Sequence, residues 1–231
     1  MQRLVKMAKI LVCGDSWTAG YGVDPSESWT NFIDYDVVSV AVSGASNEDI
    51  MNQFLDNYND SYDATIIGWS GITRIRVDNF MNWFCAVEDD TIEYFKNVSL
   101  SDILDNWETY IQTVLSTATV PVLQYSVFGD IPKVKHKNFL ESSYLEFLAD
   151  GSNNSFKYKI PMFEFDWLNE KNYKVTKPFA EKYFDQNWEK ACIERENIRP
   201  SKYFQSCGHP NVAGHKQWAG FINNQITRII K

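Results

Sequence analysis

Cysteine is scarce in this chain. The four present, Cys13, Cys85, Cys192 and Cys207, lie far apart with no C-x-x-C pair among the 231 residues. That excludes a disulfide framework and a paired-thiol metal knuckle, and it reads as reduced thiols in a cytosol-like compartment. Basic residues are also in deficit, 22 Lys and Arg against 30 Asp and Glu, for a formal net charge of -8. A chain so charged lacks the clustered cations that neutralise phosphates, so no nucleic-acid partner is expected. Long hydrophobic runs are missing as well. The amino-terminal "MQRLVKMAKILVCGD" begins with basic residues, but its apolar run is too short for a signal-peptide core, and no segment approaches a membrane span. The expectation is a soluble protein, cytoplasmic or virion-associated, with no signal peptide and no membrane partner. Internal repeats and low-complexity tracts are absent too.

Short, continuous apolar runs alternate with helical patterns. "KILVC" (Lys9 to Cys13), "DVVSVAV" (Asp36 to Val42), "ATIIGW" (Ala64 to Trp69) and "VPVLQYSV" (Val120 to Val127) read as strands buried on both faces of a parallel sheet. Between them, Ile50, Phe54 and Tyr58 recur at helical spacing behind Ser46 or Asn47 as cap. Ile103, Trp107, Ile111 and Leu115 do the same behind Ser101, and a final helix carries Trp218, Phe221, Ile222, Ile226 and Ile229. Strand–helix alternation implies an α/β domain with a doubly wound, mostly parallel sheet. From about 128 to 200 the pattern blurs into an aromatic-rich insertion with a further strand at "MFEF". It reads as a satellite core or as a wall of a substrate cleft. The expectation is one domain, 1–231, carrying that insertion.

In an open α/β sheet, ligands bind beyond the carboxyl ends of the strands, where strand order reverses. The first three strands run into Gly14-Asp15-Ser16, Ser43-Gly44-Ala45 and Ser70-Gly71. Small, hydrogen-bonding residues at all three exits permit close approach of backbone N–H groups to a ligand. Ser16 reads either as a nucleophile or as a helix cap. Of three histidines, only His209 is followed by a proline that stiffens its loop next to a helix start. A neutral imidazole there is suited to accept a serine proton.

Four stretches resemble the blocks of the SGNH (GDSL-type) hydrolases: "GDSWTAG", "VSGAS", "GWSG" and "CGHPNVAGHKQWA". The "GWSGITR" run looks more like divergent phage-encoded members of that family than like secreted lipases. The resemblance implies a three-layer αβα fold with flavodoxin-like strand order. It places Ser16 at the nucleophile and His209 at the base. Ser16, Gly44 and Ser70 fall at the oxyanion-hole positions. Two residues depart from the pattern. Ser70 stands where the family has an Asn donor, and Ser206 stands where it has the Asp that orients the histidine. A main-chain carbonyl, Ser206 itself or a carboxylate from elsewhere is then needed to hold the imidazole tautomer.

Around these, Asp15 reads as an acceptor of backbone N–H groups that fixes the nucleophile turn. Asn47 supplies either an amide near the oxyanion or a helix cap. Arg74 and Arg76 suit an anionic substrate or salt bridges. Trp17 and Trp69 stack on a sugar or cover the sheet. His215 reads as a packing or capping residue, since Cys207, His209 and His215 match no standard zinc spacing. His136, among lysines, reads as solvated. The resemblance implies a serine esterase that removes a small acyl group from a carbohydrate through a Ser–His acyl-enzyme, with no metal and no organic cofactor. Its partner is a small-molecule or glycan ester. The two serine departures keep a second reading open, a glycan-binding or virion-associated module on the same fold without turnover. A phosphate or nucleotide binder ranks last, because "GDSWTAG" lacks a phosphate-loop lysine.

Overall fold

The computed structural model describes residues 7–72, 74, 99–129, 132–149, 203, 205 and 209–230. Strands β1 (Lys9–Cys13), β2 (Asp36–Ser39), β3 (Ala64–Trp69) and β4 (Val122–Ser126) form one sheet in the order β2-β1-β3-β4. All three pairings are parallel, with Ile10 opposite Val37 and Ala64, and Thr65 opposite Val122. The chain steps from β1 outward to β2, then returns past β1 to β3. Strand order therefore reverses between β1 and β3, and the crevice above their carboxyl ends is where such sheets place ligands. The first two expected strands and the fourth are trimmed or matched at their ends; β2 stops at Ser39 and β4 spans Val122–Ser126.

Side chains of a strand alternate between the two faces, so each strand feeds two cores. Ile10, Val12, Ile66, Leu123 and Tyr125 face one way. They pack on Trp218, Ile222 and Ile226 of helix α5 (Val212–Ile229) and on Tyr144, Leu145 and Leu148 of helix α4 (Tyr144–Ala149). Leu11, Cys13, Ile67, Trp69 and Val122 face the other way. They meet Ile50 and Phe54 of α2 (Asn47–Asn57), and Ile103, Trp107, Ile111 and Val114 of α3 (Leu100–Thr117). Helices on both faces of a parallel sheet make the architecture a three-layer αβα fold. The edge strand β2 is only half-buried, as its position demands.

The helices begin where their side chains can satisfy the first free N–H groups. Ser46 and Asp49 form a reciprocal capping box on α2. On α3 the cap is Ser99, not the expected Ser101. Ser99 has Asp102 three residues on to close the box, whereas three residues after Ser101 stands Leu104. Among the described residues no helix is long and apolar enough to cross a membrane. Expectations for Arg76, Ser206, Cys85, Cys192, Cys207 and the 151–200 stretch with "MFEF" lie outside the described residues.

Candidate active site

β1 ends at Cys13, and a four-residue helix, α1 (Ser16–Ala19), follows at once. Its cap is Asp15, whose Oδ1 accepts the Trp17 N–H at 3.0 Å. Ser16 is thus the first helical residue and not the cap, which leaves its hydroxyl uncommitted to the turn. Gly20 closes the helix in the left-handed conformation. From the other side of the sheet, the Gln53 side chain clamps Gly14. Its Oε1 accepts the Gly14 N–H at 2.9 Å and its Nε2 donates to the Gly14 carbonyl at 3.2 Å. Gln53 lies on the α2 face beside Ile50 and Phe54, and no periodic signal marks it in the sequence.

His209 approaches Ser16 from the start of α5. Its Nε2 stands 3.0 Å from Ser16 Oγ, and both residues are buried. The loop that carries it is tied on both sides. The Gln205 N–H donates to the His209 carbonyl at 2.8 Å, and the Asn211 N–H donates to the Tyr203 carbonyl at 2.8 Å. Gln205 Nε2 donates to the Pro210 carbonyl at 2.8 Å and reaches the Tyr21 carbonyl at 3.3 Å. One glutamine therefore links the histidine loop to the turn that follows Ser16. Asn211 then caps α5 by accepting the Gly214 N–H at 3.0 Å.

Beneath Ser16 lies a buried ionic group. Arg74 Nη1 donates to Asp15 Oδ2 at 3.0 Å and to Ser70 Oγ at 2.7 Å. Ser70 Oγ in turn donates to Asp15 Oδ2 at 2.9 Å. Burial pushes the Asp15 carboxyl up from its ordinary range, while Arg74, Ser70 and the N–H groups of Trp17 and Thr18 pull it back. Of the two readings for Arg74, the structure has the salt bridge. Ser70, expected as an oxyanion donor, directs its single hydroxyl hydrogen at Asp15 instead. A hydroxyl has one proton to give, and here that proton is spent on the carboxylate.

Gly44 closes the loop after β2 with φ of 88°, a left-handed backbone that a side chain would strain. Three residues on, Asn47 occupies the first turn of α2 behind the Ser46 cap, so it is not the cap itself. Its Nδ2 crosses to the end of β3 and donates to the Ser70 carbonyl at 3.2 Å. That uses one of its two amide hydrogens. Asn47 is buried, and its Oδ1 meets no donor among the described residues.

Both candidate tryptophans belong to the cores. Trp17 packs edge-on against Phe128 and Tyr144 at 5.3 Å between ring centres. Trp69 is buried and donates its Nε1 to Gln124 Oε1 at 2.9 Å. Neither presents a face to a ligand. His215 is buried with Nδ1 3.0 Å from the Tyr144 hydroxyl, which is the packing role expected of it. His136 corrects the reading as solvated: it is buried and sits 2.8 Å from Glu108 Oε1 of α3. Cys13 is a free, buried thiol whose pKa is pushed far up by burial, so it is inert as a nucleophile.

No family profile matches the chain, and no curated protein matches it in sequence. Several solved structures are similar to it. TesA is 13% identical, with a TM-score of 0.43 over 96% of this chain and 98% of that one. The psychrotrophic esterase EstA from Pseudoalteromonas sp. is 11% identical, with a TM-score of 0.41 over 96% of each chain. A GDSL-like lipase from Bacteroides thetaiotaomicron VPI-5482 is 12% identical, with a TM-score of 0.42 over 99% of this chain and 92% of that one.

Proposed function

We propose that this chain is an SGNH-type ester hydrolase in which Ser16 is the nucleophile and His209 the general base. The observation that carries the proposal is the 3.0 Å approach of His209 Nε2 to Ser16 Oγ at the β1–β3 switch point. A serine hydroxyl attacks an ester only if a base takes its proton. With the imidazole neutral, Nε2 accepts that proton as Oγ bonds to the ester carbonyl carbon. The tetrahedral oxyanion then collapses, and the C–O bond to the alcohol breaks. The alcohol leaves with the proton from Nε2. A water molecule attacks the acyl-Ser16 in the same way, which releases the carboxylic acid and restores the hydroxyl.

The oxyanion needs donors fixed in advance. The backbone N–H groups of Ser16 and Gly44 are assigned to it by the resemblance in their blocks. Because the Ser70 hydrogen is engaged by Asp15, we assign the third donor to the second amide hydrogen of Asn47. Its first hydrogen already anchors it on Ser70. The Asp15–Ser70–Arg74 group then acts from below, holding α1 and with it the Ser16 turn. By the same resemblance, the substrate is a small acyl group on a carbohydrate.

A fluorophosphonate probe and short-chain aryl esters test this reading. The parent protein is expected to be labelled and to turn over ester, and Ser16→Ala to do neither. Asn47→Ala is expected to lower kcat by about 100- to 1000-fold, the usual cost of one oxyanion donor. A parent that neither labels nor hydrolyses is a binding module on this fold, and the enzyme reading is then wrong.

A further inference from the structure

Tyr21 is the one aromatic residue among the exposed large apolar side chains of the described residues, at 55% exposure. It stands next to the candidate dyad. Its ring centre lies 4.8 Å from that of His209, with the planes inclined by 47°. The backbone under it is held at both ends. Its N–H donates to the Ser16 carbonyl at 2.9 Å, and its carbonyl accepts from Gln205 Nε2 at 3.3 Å. An exposed apolar ring on a backbone so fixed is a ready contact surface. Trp17 also borders His209, at 6.3 Å, but it is sealed in the core and offers no face.

The side of the site that Tyr21 lines follows from the chemistry proposed above, on which this inference rests. His209 Nε2 takes a proton from Ser16 and gives it to the leaving oxygen. It must reach both atoms, so the leaving oxygen sits on the imidazole side of Ser16. Whatever the oxygen carries extends past the imidazole. Tyr21 flanks that imidazole and is open to solvent. The acyl group, by contrast, stays on Ser16 after the alcohol has gone.

We infer that Tyr21 is a specificity-determining residue for the alcohol half of the ester, and that its exposed ring takes the flat apolar face of a cyclic alcohol such as a pyranose. A ring laid on an aromatic face buries a broad flat apolar area, whereas a short open-chain alcohol has too little surface to use it. The contact exists in the Michaelis complex and in acylation. It is gone in deacylation, when the alcohol has left.

The test holds the acyl group constant and varies the alcohol. Acetate esters of ethanol, phenol and methyl glucoside are compared for the parent, Tyr21→Ala and Tyr21→Phe. The quantity read is the ratio of kcat/KM for a cyclic ester to kcat/KM for the ethyl ester. Tyr21→Ala is expected to lower that ratio by about 3- to 10-fold. Tyr21→Phe, which keeps the ring, is expected to preserve it. An equal loss on all three esters overturns the inference, because Tyr21 then only braces His209. A changed preference among acyl chain lengths at fixed alcohol, with the cyclic-to-ethyl ratio unmoved, overturns it by placing the ring on the acyl side. Fluorophosphonate labelling separates the two levels. Labelling of parent and variants alike, without a change in the ratio, defeats this inference alone. Absence of labelling in the parent defeats the esterase reading and this one with it.

Discussion

Asp15 and Arg74 are each almost fully withdrawn from water, and Arg74 balances the Asp15 charge together with Ser70 and the backbone N–H groups of Trp17 and Thr18. Removing one partner of a buried ion pair strands the other charge, which typically costs about 3–5 kcal/mol. Removing both with uncharged residues of similar volume is far cheaper. Arg74→Met is therefore expected to destabilise the fold by several kcal/mol in urea unfolding. Asp15→Asn with Arg74→Met should recover a substantial part of that loss. Additive single losses would show that the two side chains act independently. From the sequence a salt bridge was only one of two readings for Arg74, and its partner could not be named. Asp15 follows β1 and Arg74 follows β3, and the strand order alone brings those exits together. The expectation that Asp15 accepts backbone N–H groups needed only its place before a helix. The choice between salt bridge and ligand for Arg74 needed the fold. His136 shows the same limit from the other direction, since its partner Glu108 comes from a distant helix while its sequence neighbours are lysines.

Helix α1 is too short to hold itself, and its position depends on what it rests against. Thr18 is its footing. The Thr18 hydroxyl lies 3.0 Å from the Tyr125 hydroxyl of β4, and both sit over Gly68 of β3. A methyl group at Gly68 would come within 2.6 Å of Thr18 Oγ1 and 2.5 Å of the Tyr125 hydroxyl. Gly68→Ala is thus expected to break that hydrogen bond and lift α1, moving Ser16 with it. Overpacking of this kind costs about 1–3 kcal/mol. Ester turnover should fall by more than the lost stability accounts for, because the dyad distance changes while the rest of the sheet stands. Stability within 0.5 kcal/mol of the parent and unchanged turnover would mean that α1 is not seated through Thr18. Strands and helices were legible because hydrophobic period is a local property; β1, β3 and the apolar faces of α2, α3 and α5 follow it directly. Caps are local too: Ser99 starts α3 because Asp102 stands three residues on, whereas Ser101 has Leu104 at that place. Gln53 and Gln205 were illegible for a different reason. Each bonds to backbone groups across the fold, and an amide side chain carries no pattern that announces such a partner.

Two cores on opposite faces of one sheet mean that the site at the sheet's carboxyl edge inherits its rigidity from both, and a buried histidine lies against one of them. His215 sits on α5 against the first core, fully buried, with the Tyr144 hydroxyl at Nδ1. Burial lowers its pKa from 6.5 to about 4. Above about pH 6.5 the ring is neutral in the folded and unfolded chain alike, and its contribution to stability does not vary. Below that, the unfolded chain binds a proton that the folded chain refuses, so stability falls as pH falls, until about pH 4. Between pH 7 and pH 5 the loss from this one residue is about 2 kcal/mol. Asp15 works with the opposite sign. Its carboxyl is raised by burial, so the folded state takes up that proton first, and the stability it contributes is present at low pH and lost as pH rises through the folded value. The net slope of the whole protein mixes the two, and a single pH profile cannot assign either. The difference between the parent and His215→Gln can, because the glutamine retains an acceptor for Tyr144 and cannot titrate. Urea unfolding at pH 7 and pH 5 should show the parent losing about 2 kcal/mol more than the variant over that interval. Equal losses would mean that α5 opens enough to admit water to His215, and with it the segment that holds His209 against Ser16.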